Sequence, residues 1–268
     1  RRARCLGFEV REFLVGDGVR DWSLTSDSVL AFPYELVGGT LEPKRPTQGQ
    51  LADQHLWVLR TNLRNRLMFG KTPEQAGLNW WELSFLSKDR LAAGRLISFS
   101  EVATHNHFVL SRRQQAFKHS APVIKLPAGA SENEHLGLLG LLNSSVACFW
   151  FKQVCHNKGS TVDQHGARQR TSPFEDFYAF NSTKVSEFPL SSERPLALAR
   201  TLDTLARDIE ACLPAARLRF AAEGSQPLPS RRTLDEMRDR VAGLRRMAVA
   251  WQEELDWACY GLYGLLPR

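Results

Sequence analysis

The side chains with the most chemistry to offer lie in one polar stretch, residues 157–170, which reads NKGSTVDQHGARQR. Arginine presents a planar fork that matches guanine edges and phosphates, glutamine matches adenine, and lysine attracts phosphate. Gly159 lets the backbone turn closely, and Asp163 is the only acid in the stretch. This pattern favours a loop that reads DNA over a polar loop without a ligand. The residues expected to contact DNA here are Asn157, Lys158, Gly159, Ser160, Thr161, Gln164, Arg168, Gln169 and Arg170.

The positive charge of the chain is concentrated around that stretch. Residues 102–174 hold eight Lys and Arg against three acids, which is +5 of the formal net charge of +6. Residues 191–268 are nearly balanced, with 12 Arg against 11 acids. A concentrated basic segment is the expected footprint of phosphate contact, with an ordinary solvated surface as the alternative. The further residues expected to set the register on phosphates are Lys152 and a second loop with Arg112, Arg113 and Lys118.

Two groups of histidine and cysteine side chains raise the question of metal binding. In a strand, His105 and His107 point to the same face, but no Asp, Glu or His follows them at motif spacing. We therefore expect this pair to cap a strand end or to contact a phosphate. The second group lacks the CxxC spacing of a zinc knuckle and comprises Cys148, Cys155, His156 and His165. The sequence predicts no metal site.

The motifs of a self-sufficient enzyme are missing from the sequence. It has no GxGxxG after a strand, no GxxxxGK[ST] loop and no Asn-Pro-Pro-aromatic motif of adenine methylation. No catalytic residue and no cofactor site are therefore expected in this chain. Widely spaced cysteines, and no signal-peptide or membrane-length apolar run, predict a cytoplasmic protein that does not contact membranes. Because the sequence begins at Arg1 without methionine, we expect a part of a longer protein.

Hydrophobic spacing predicts an α+β fold built on a mixed β-sheet. Short apolar runs between Gly and Pro predict strands within residues 1–46, and helical spacing predicts a helix between Gln48 and Gly77. A long helix is expected from Leu136 to Gln153, with a possible break at residues 143–145. Further strands are expected at Leu96–Phe99, His107–Leu110 and Pro122–Leu126, with a last edge strand at Val185–Leu190.

The C-terminal residues predict an antiparallel helical hairpin. Pro195 suits a first helical turn, and Pro214 should kink or end that helix. Thr233 and Glu236 are spaced as a capping box that starts the second helix. We therefore divide the chain into a target-recognition domain at residues 1–190 and a helical hairpin at residues 191–268, which serves as a spacer or a docking region.

The segment LLGLLNSSVACFWFKQVCHNKGST, followed by TKVSEFPL and a long helix, resembles the target-recognition domains of restriction–modification proteins. Similarity is closer to the C-terminal region of the PglX-type adenine-specific DNA methyltransferases of BREX phage-defence systems. The segments VATHNHFVL, SAPVIKLPAG and EELDWACYGLYGLL carry this resemblance, which extends from about Ala31 to Leu266.

The resemblance implies a part of an enzyme that transfers a methyl group from S-adenosylmethionine to adenine N6. The catalytic domain and its cofactor are then expected upstream of Arg1, with that domain, double-stranded DNA and other defence-system proteins as partners. Adenine methylation requires an extruded base, so this region would hold the flanking duplex. The sequence thus predicts a sequence-specific duplex-DNA recognition module. The alternative is a protein-interaction scaffold that docks a partner through the hairpin.

Overall fold

The computed structural model describes residues 7, 9–84, 87–92, 94–159, 176–222 and 227–266. Within these ranges the fold is α+β, as predicted, with helices and several small sheets. The strands are β1 Val10–Leu14, β2 Val19–Arg20, β3 Ser23–Leu24, β4 Ser28–Ala31, β5 Tyr34–Val37, β6 Thr40–Pro43, β7 Leu96–Phe99, β8 Val102–Ala103, β9 Phe108–Ser111, β10 Ala116–Phe117, β11 Val123–Ile124, β12 His156–Gly159 and β13 Phe177–Ala179. The α-helices are α1 Leu51–Val58, α2 Arg60–Asn65, α3 Lys88–Leu91, α4 Glu132–Leu142, α5 Ser145–Val154, α6 Ser182–Ser186, α7 Leu196–Cys212, α8 Pro214–Ala222 and α9 Arg231–Leu262.

The strands form five small sheets among the described residues rather than one mixed sheet. The sheet β10-β1-β4 is mixed, because β1 pairs parallel to β10 and antiparallel to β4. The sheets β11-β7-β9 and β12-β13-β8 are antiparallel, and β2-β3 and β5-β6 are two-stranded hairpins. Many of these strands are only two to five residues long, so each sheet stays narrow.

The largest hydrophobic core forms between the β7-β9 pair and helices α4 and α5. All residues of β7 and β9 are buried, which is typical of strands covered on both faces. Phe99, Phe108 and Phe151 lie in this core, and Leu202 of α7 and Leu255 of α9 belong to the same cluster. The hairpin and the preceding region therefore share one core across residue 190, and their division into two functional units stays a prediction.

Helices α7 and α9 form the predicted antiparallel hairpin. A Cβ atom on Gly140 of α4 would lie 3.0 Å from Ala199, 3.0 Å from Pro195 and 3.6 Å from Leu255. The start of α7 therefore meets the end of α9, and glycine lets α4 approach both helices closely. Pro214 ends α7 as predicted, because the helix stops at Cys212 and a new one begins at the proline.

Three expectations about element boundaries are wrong. No strand forms at Val185–Leu190: Val185 and Ser186 end helix α6, which the Asn181 side chain caps by accepting the Lys184 N–H, and residues 187–190 form a turn and irregular chain. The N-cap of α9 is Ser230, whose hydroxyl accepts the Thr233 N–H, so the capping box of Thr233 and Glu236 does not form. The helix expected within 48–77 is interrupted at Leu59 and ends at Asn65.

Among the described residues, no helix is both long and apolar enough to cross a membrane.

Candidate nucleic-acid interface

The predicted break at residues 143–145 is a junction of four elements. Asn143 binds the backbone of Phe108 in β9 twice, donating to its carbonyl and accepting its N–H, both at 2.9 Å. Ser144 caps α5 by accepting the Ala147 N–H. The Ser145 N–H and hydroxyl donate to the Asp256 carboxylate of α9 at 2.7 and 2.6 Å. The polar residues that interrupt the apolar run thus fix α5 against β9 and α9.

Helix α5 leads directly into the strand pair that bounds the predicted DNA-contacting stretch. Strand β12 pairs with β13, with Gly159 opposite Phe177. The two residues that flank positions 160–176 therefore lie next to each other. The Asn157 side chain ties the two ends together. Its oxygen accepts the Gly159 N–H at 2.6 Å, and its nitrogen donates to Asp176 at 3.0 Å. Gly159 has φ +75°, which satisfies the predicted need for a glycine at this turn.

Two predicted phosphate contacts lie together at this strand pair. Lys158 is exposed on β12, which is an edge strand of its sheet. Lys152 lies in the last turn of α5, with its ammonium 5.5 Å from the centroid of the Tyr178 ring of β13. Tyr178 therefore holds Lys152 beside β13 by a cation–π contact. Sequence reasoning missed both Tyr178 and Asp176, because their roles depend on pairing across 19 or more residues.

Six predicted base-reading residues lie outside the described residues, and their assignment stays a prediction. They are Ser160, Thr161, Gln164, Arg168, Gln169 and Arg170.

The second predicted contact loop, with Arg112, Arg113 and Lys118, follows the C-terminal end of β9. Strand β9 spans about 13 Å, with His107 before it and Arg112 after it. Arg113 is exposed, with its side chain 4.0 Å from a Glu12 oxygen, and Lys118 is exposed just after β10. The structure therefore does not gather all predicted phosphate contacts in one cluster, and the role of this loop in DNA binding stays a prediction.

Arg112 has its guanidinium engaged inside the protein. It donates to both oxygens of Asp203 on α7, at 3.0 and 2.7 Å, and to Glu132 on α4 at 2.8 and 3.0 Å. Burial disfavours the charge of Arg112, but the hydrogen bonds of the two carboxylates outweigh it and raise its pKa. This geometry gives Arg112 a part in holding β9, α4 and α7 together, and its assignment to phosphate stays a prediction.

A cluster that sequence spacing did not reveal lies at the His107 end of β9. Asp21, from the turn between β2 and β3, places its carboxylate beside His105 and His107. The Asp21 side chain is 45% exposed; its partial desolvation would raise its pKa, but hydrogen bonds from the two histidines outweigh this and lower that pKa. Asp21 precedes the pair by 84 residues, so no motif spacing could connect them. The other candidate group forms no such cluster among its described members, Cys148, Cys155 and His156.

Exposed apolar residues of α9 do not form one stripe. Large apolar side chains are exposed at Met247, Val249, Trp251 and Trp257. At 100° per residue they spread over roughly 200° of the helix circumference. A docking helix is expected to present a narrower, continuous apolar face. The alternative of a hairpin that docks a partner therefore has little support in this surface.

Comparison with known proteins confirms the resemblance to the PglX-type methyltransferases. Over 262 residues the chain is 44% identical to the adenine-specific methyltransferase PglX of Streptomyces coelicolor. The match covers 96% of this chain and 21% of that protein, so the chain spans about a fifth of its relative. A solved structure of the type IIL restriction–modification enzyme MmeI in complex with DNA aligns with 97% of this chain and 28% of its own, at 12% identity and a TM-score of 0.47. No protein-family model matches the chain.

Proposed function

We propose that this chain is the duplex-DNA recognition module of an adenine-specific DNA methyltransferase of the restriction–modification type. The observation that carries this proposal is the 44% identity to an adenine-specific methyltransferase over nearly the whole chain. Methyl transfer from S-adenosylmethionine would then be performed by a separate catalytic part of the protein. A role in BREX phage defence is part of the same proposal.

The β12-β13 pair supplies the physical basis for DNA contact. Lys152 and Lys158 flank the base of the stretch that contains the sequence-predicted readers. Asn157 ties the two ends of that stretch together, so the sheet determines where the stretch begins and ends. A rigid scaffold that presents a polar, basic connection is the usual arrangement of a specificity loop. In this assignment the lysines contact phosphates, and Arg168 and Arg170 approach base edges.

Alanine at Lys152 or Lys158 is expected to weaken binding to all duplexes alike. Each phosphate contact that is lost lowers the slope of log affinity against log salt concentration by about 0.9. Fluorescence anisotropy over a salt series measures this slope. Lys44→Ala is the matched control, because Lys44 is exposed and pairs with Glu9 and Glu35 beside the separate β5-β6 hairpin. Equal slopes for the wild type and all three variants would contradict the proposal.

The variant Arg168→Ala/Arg170→Ala tests base reading separately. Loss of a bidentate contact to a base costs about 1–3 kcal/mol of discrimination at that base pair. We therefore expect this variant to lose preference among randomised duplexes while Lys158→Ala retains it. The same fractional loss of affinity on cognate and random DNA for both variants would contradict the reading role. Circular dichroism on each variant verifies that the fold is intact.

A further inference from the structure

We propose that Asp21, His105 and His107 form a site for one divalent metal ion such as Zn²⁺. Two imidazoles and one carboxylate are a common zinc ligand set in proteins. In the structure their candidate ligand atoms all lie within 4.8 Å of one another. The ion would join the β2-β3 turn to the loop that precedes β9.

The distances between these atoms suit a shared ion. His107 Nδ1 lies 2.9 Å from Asp21 Oδ1, and His105 Nε2 lies 3.7 Å from Asp21 Oδ2. Two ligand atoms about 2.0–2.1 Å from a tetrahedral ion lie about 3.3 Å apart, which falls between these values. The ring centroids of the two histidines are 4.1 Å apart, so the two rings lie side by side next to Asp21.

The histidine loop is held rigidly by its neighbours. The Thr104 hydroxyl contacts His105 Nδ1 at 3.1 Å, which leaves Nε2 facing Asp21. A hydrogen bond at one ring nitrogen orients the other toward a metal. Between the histidines, the buried Asn106 side chain donates to the Leu142 carbonyl at the end of α4. Little ordering of this loop would therefore be needed when an ion binds.

The Asp21 side of the cluster is held as firmly. Its neighbour Trp22 is buried, and its indole N–H donates to Gln252 of α9 at 3.0 Å. Trp22 has φ +61°, a left-handed conformation that is rare for a bulky residue and persists only where the surroundings enforce it. The backbone N–H of Trp22 donates to the carbonyl of Phe108, the residue directly after His107. This bond joins the residue after Asp21 to the residue after His107, so the backbones that carry these two side chains lie next to each other.

The surroundings leave room for an ion to enter. Asp21 and His105 are exposed, and His107 is buried with 9% of its side chain accessible. Three protein ligands leave a fourth position for water or another oxygen ligand. Cys148 lies nearby on α5, where its sulfur accepts the Asn106 N–H, and burial raises the pKa of this thiol. Metal binding at this site would not require DNA binding, because it depends only on these three side chains.

Equilibrium dialysis with Zn²⁺, and Co²⁺ absorption spectra, test this site on the 268-residue chain after treatment with a chelator. We expect one ion per chain in the wild type and a Co²⁺ spectrum of a four-coordinate N/O site. Asp21→Asn and His105→Ala should each weaken binding by about 100-fold or more, because each removes a ligand. His119→Ala is the matched control, since His119 is exposed and lies outside the cluster.

Two results would overturn the metal site. One is a folded wild-type chain that binds no ion, which would make the cluster a hydrogen-bonded Asp–His group. The other is binding that survives Asp21→Asn and His105→Ala as well as it survives His119→Ala, which would place the ion elsewhere. Both informative changes affect exposed side chains, and circular dichroism verifies that the variants fold. His107 is not substituted, because its burial would confuse loss of a ligand with loss of the fold.

Discussion

Arg112→Ala is expected to lower the free energy of unfolding by about 3–5 kcal/mol. The partner of Arg112 is Asp203, whose side chain is only 3% exposed. Removal of the guanidinium leaves this carboxylate buried, with the half-exposed Arg207 at 3.1 Å as its remaining cationic partner among the described residues. Breaking one side of a buried ion pair costs more than the pair contributes, because the remaining charge stays desolvated. Urea denaturation followed by circular dichroism measures the loss.

The adjacent residue provides a matched control for this prediction. Arg113 has the same side chain, but it is 63% exposed, and its contact with the Glu12 carboxylate is long, at 4.0 Å. Exposed pairs of this kind contribute about 0–1 kcal/mol, so Arg113→Ala should change stability little. The double change Arg112→Met/Asp203→Leu should recover part of the loss, because neither charge is then left buried. Equal stability of Arg112→Ala and Arg113→Ala would contradict the structural role.

This comparison also bears on the sequence-based assignment of both arginines to phosphates. If Arg112→Ala unfolds part of the chain, a loss of DNA binding by this variant would not show whether Arg112 contacts DNA. Arg113→Ala preserves the fold in our expectation and therefore tests the second loop cleanly. A change in its salt dependence would show that DNA reaches this end of β9, whereas the wild-type slope would limit phosphate contact to the β12-β13 end.

Local patterns predicted those parts of the fold that neighbours in sequence determine. The break within residues 143–145, the end of a helix at Pro214 and the antiparallel hairpin all follow from spacing and from the chemistry of Ser, Asn and Pro. Local competition explains the failures. Asn181 offers a helix cap that outweighs the strand propensity of Val185, and Ser230 caps α9 before Thr233 can.

Partners far apart in sequence account for what could not be predicted at the candidate sites. Arg112 pairs with Asp203 over 91 positions, and Asp21 meets His107 over 86. Composition identified Arg112 as a basic loop residue and His107 as a histidine without a partner. Only the folded structure, which brings the residue after β9 to α7 and the residue before β9 to the β2-β3 turn, shows which charges surround them. A single sequence lists the side chains available for a site but leaves their long-range pairing open.

Asn143→Ala is expected to lower the free energy of unfolding by about 2–4 kcal/mol. Its side chain is buried and binds both backbone groups of Phe108 at 2.9 Å. The Phe108 carbonyl keeps a second donor, the Trp22 N–H, whereas its N–H loses its side-chain acceptor. An unsatisfied buried donor costs about 1–3 kcal/mol, and the lost bond to the carbonyl adds about 1 kcal/mol. The junction of α4, α5 and β9 thus depends on one amide.

Asn133→Ala is the matched control, because Asn133 lies on the exposed face of α4, where its side-chain oxygen accepts a hydrogen bond from the exposed Arg200. Its loss should change stability by at most about 0.5 kcal/mol. Denaturant unfolding of both variants gives the comparison, and the two Asn→Ala changes remove the same atoms. Similar stabilities would mean that apolar packing alone holds the junction. A selective loss in Asn143→Ala would show that the asparagine between two apolar helices positions α5, and with it Lys152 and strand β12.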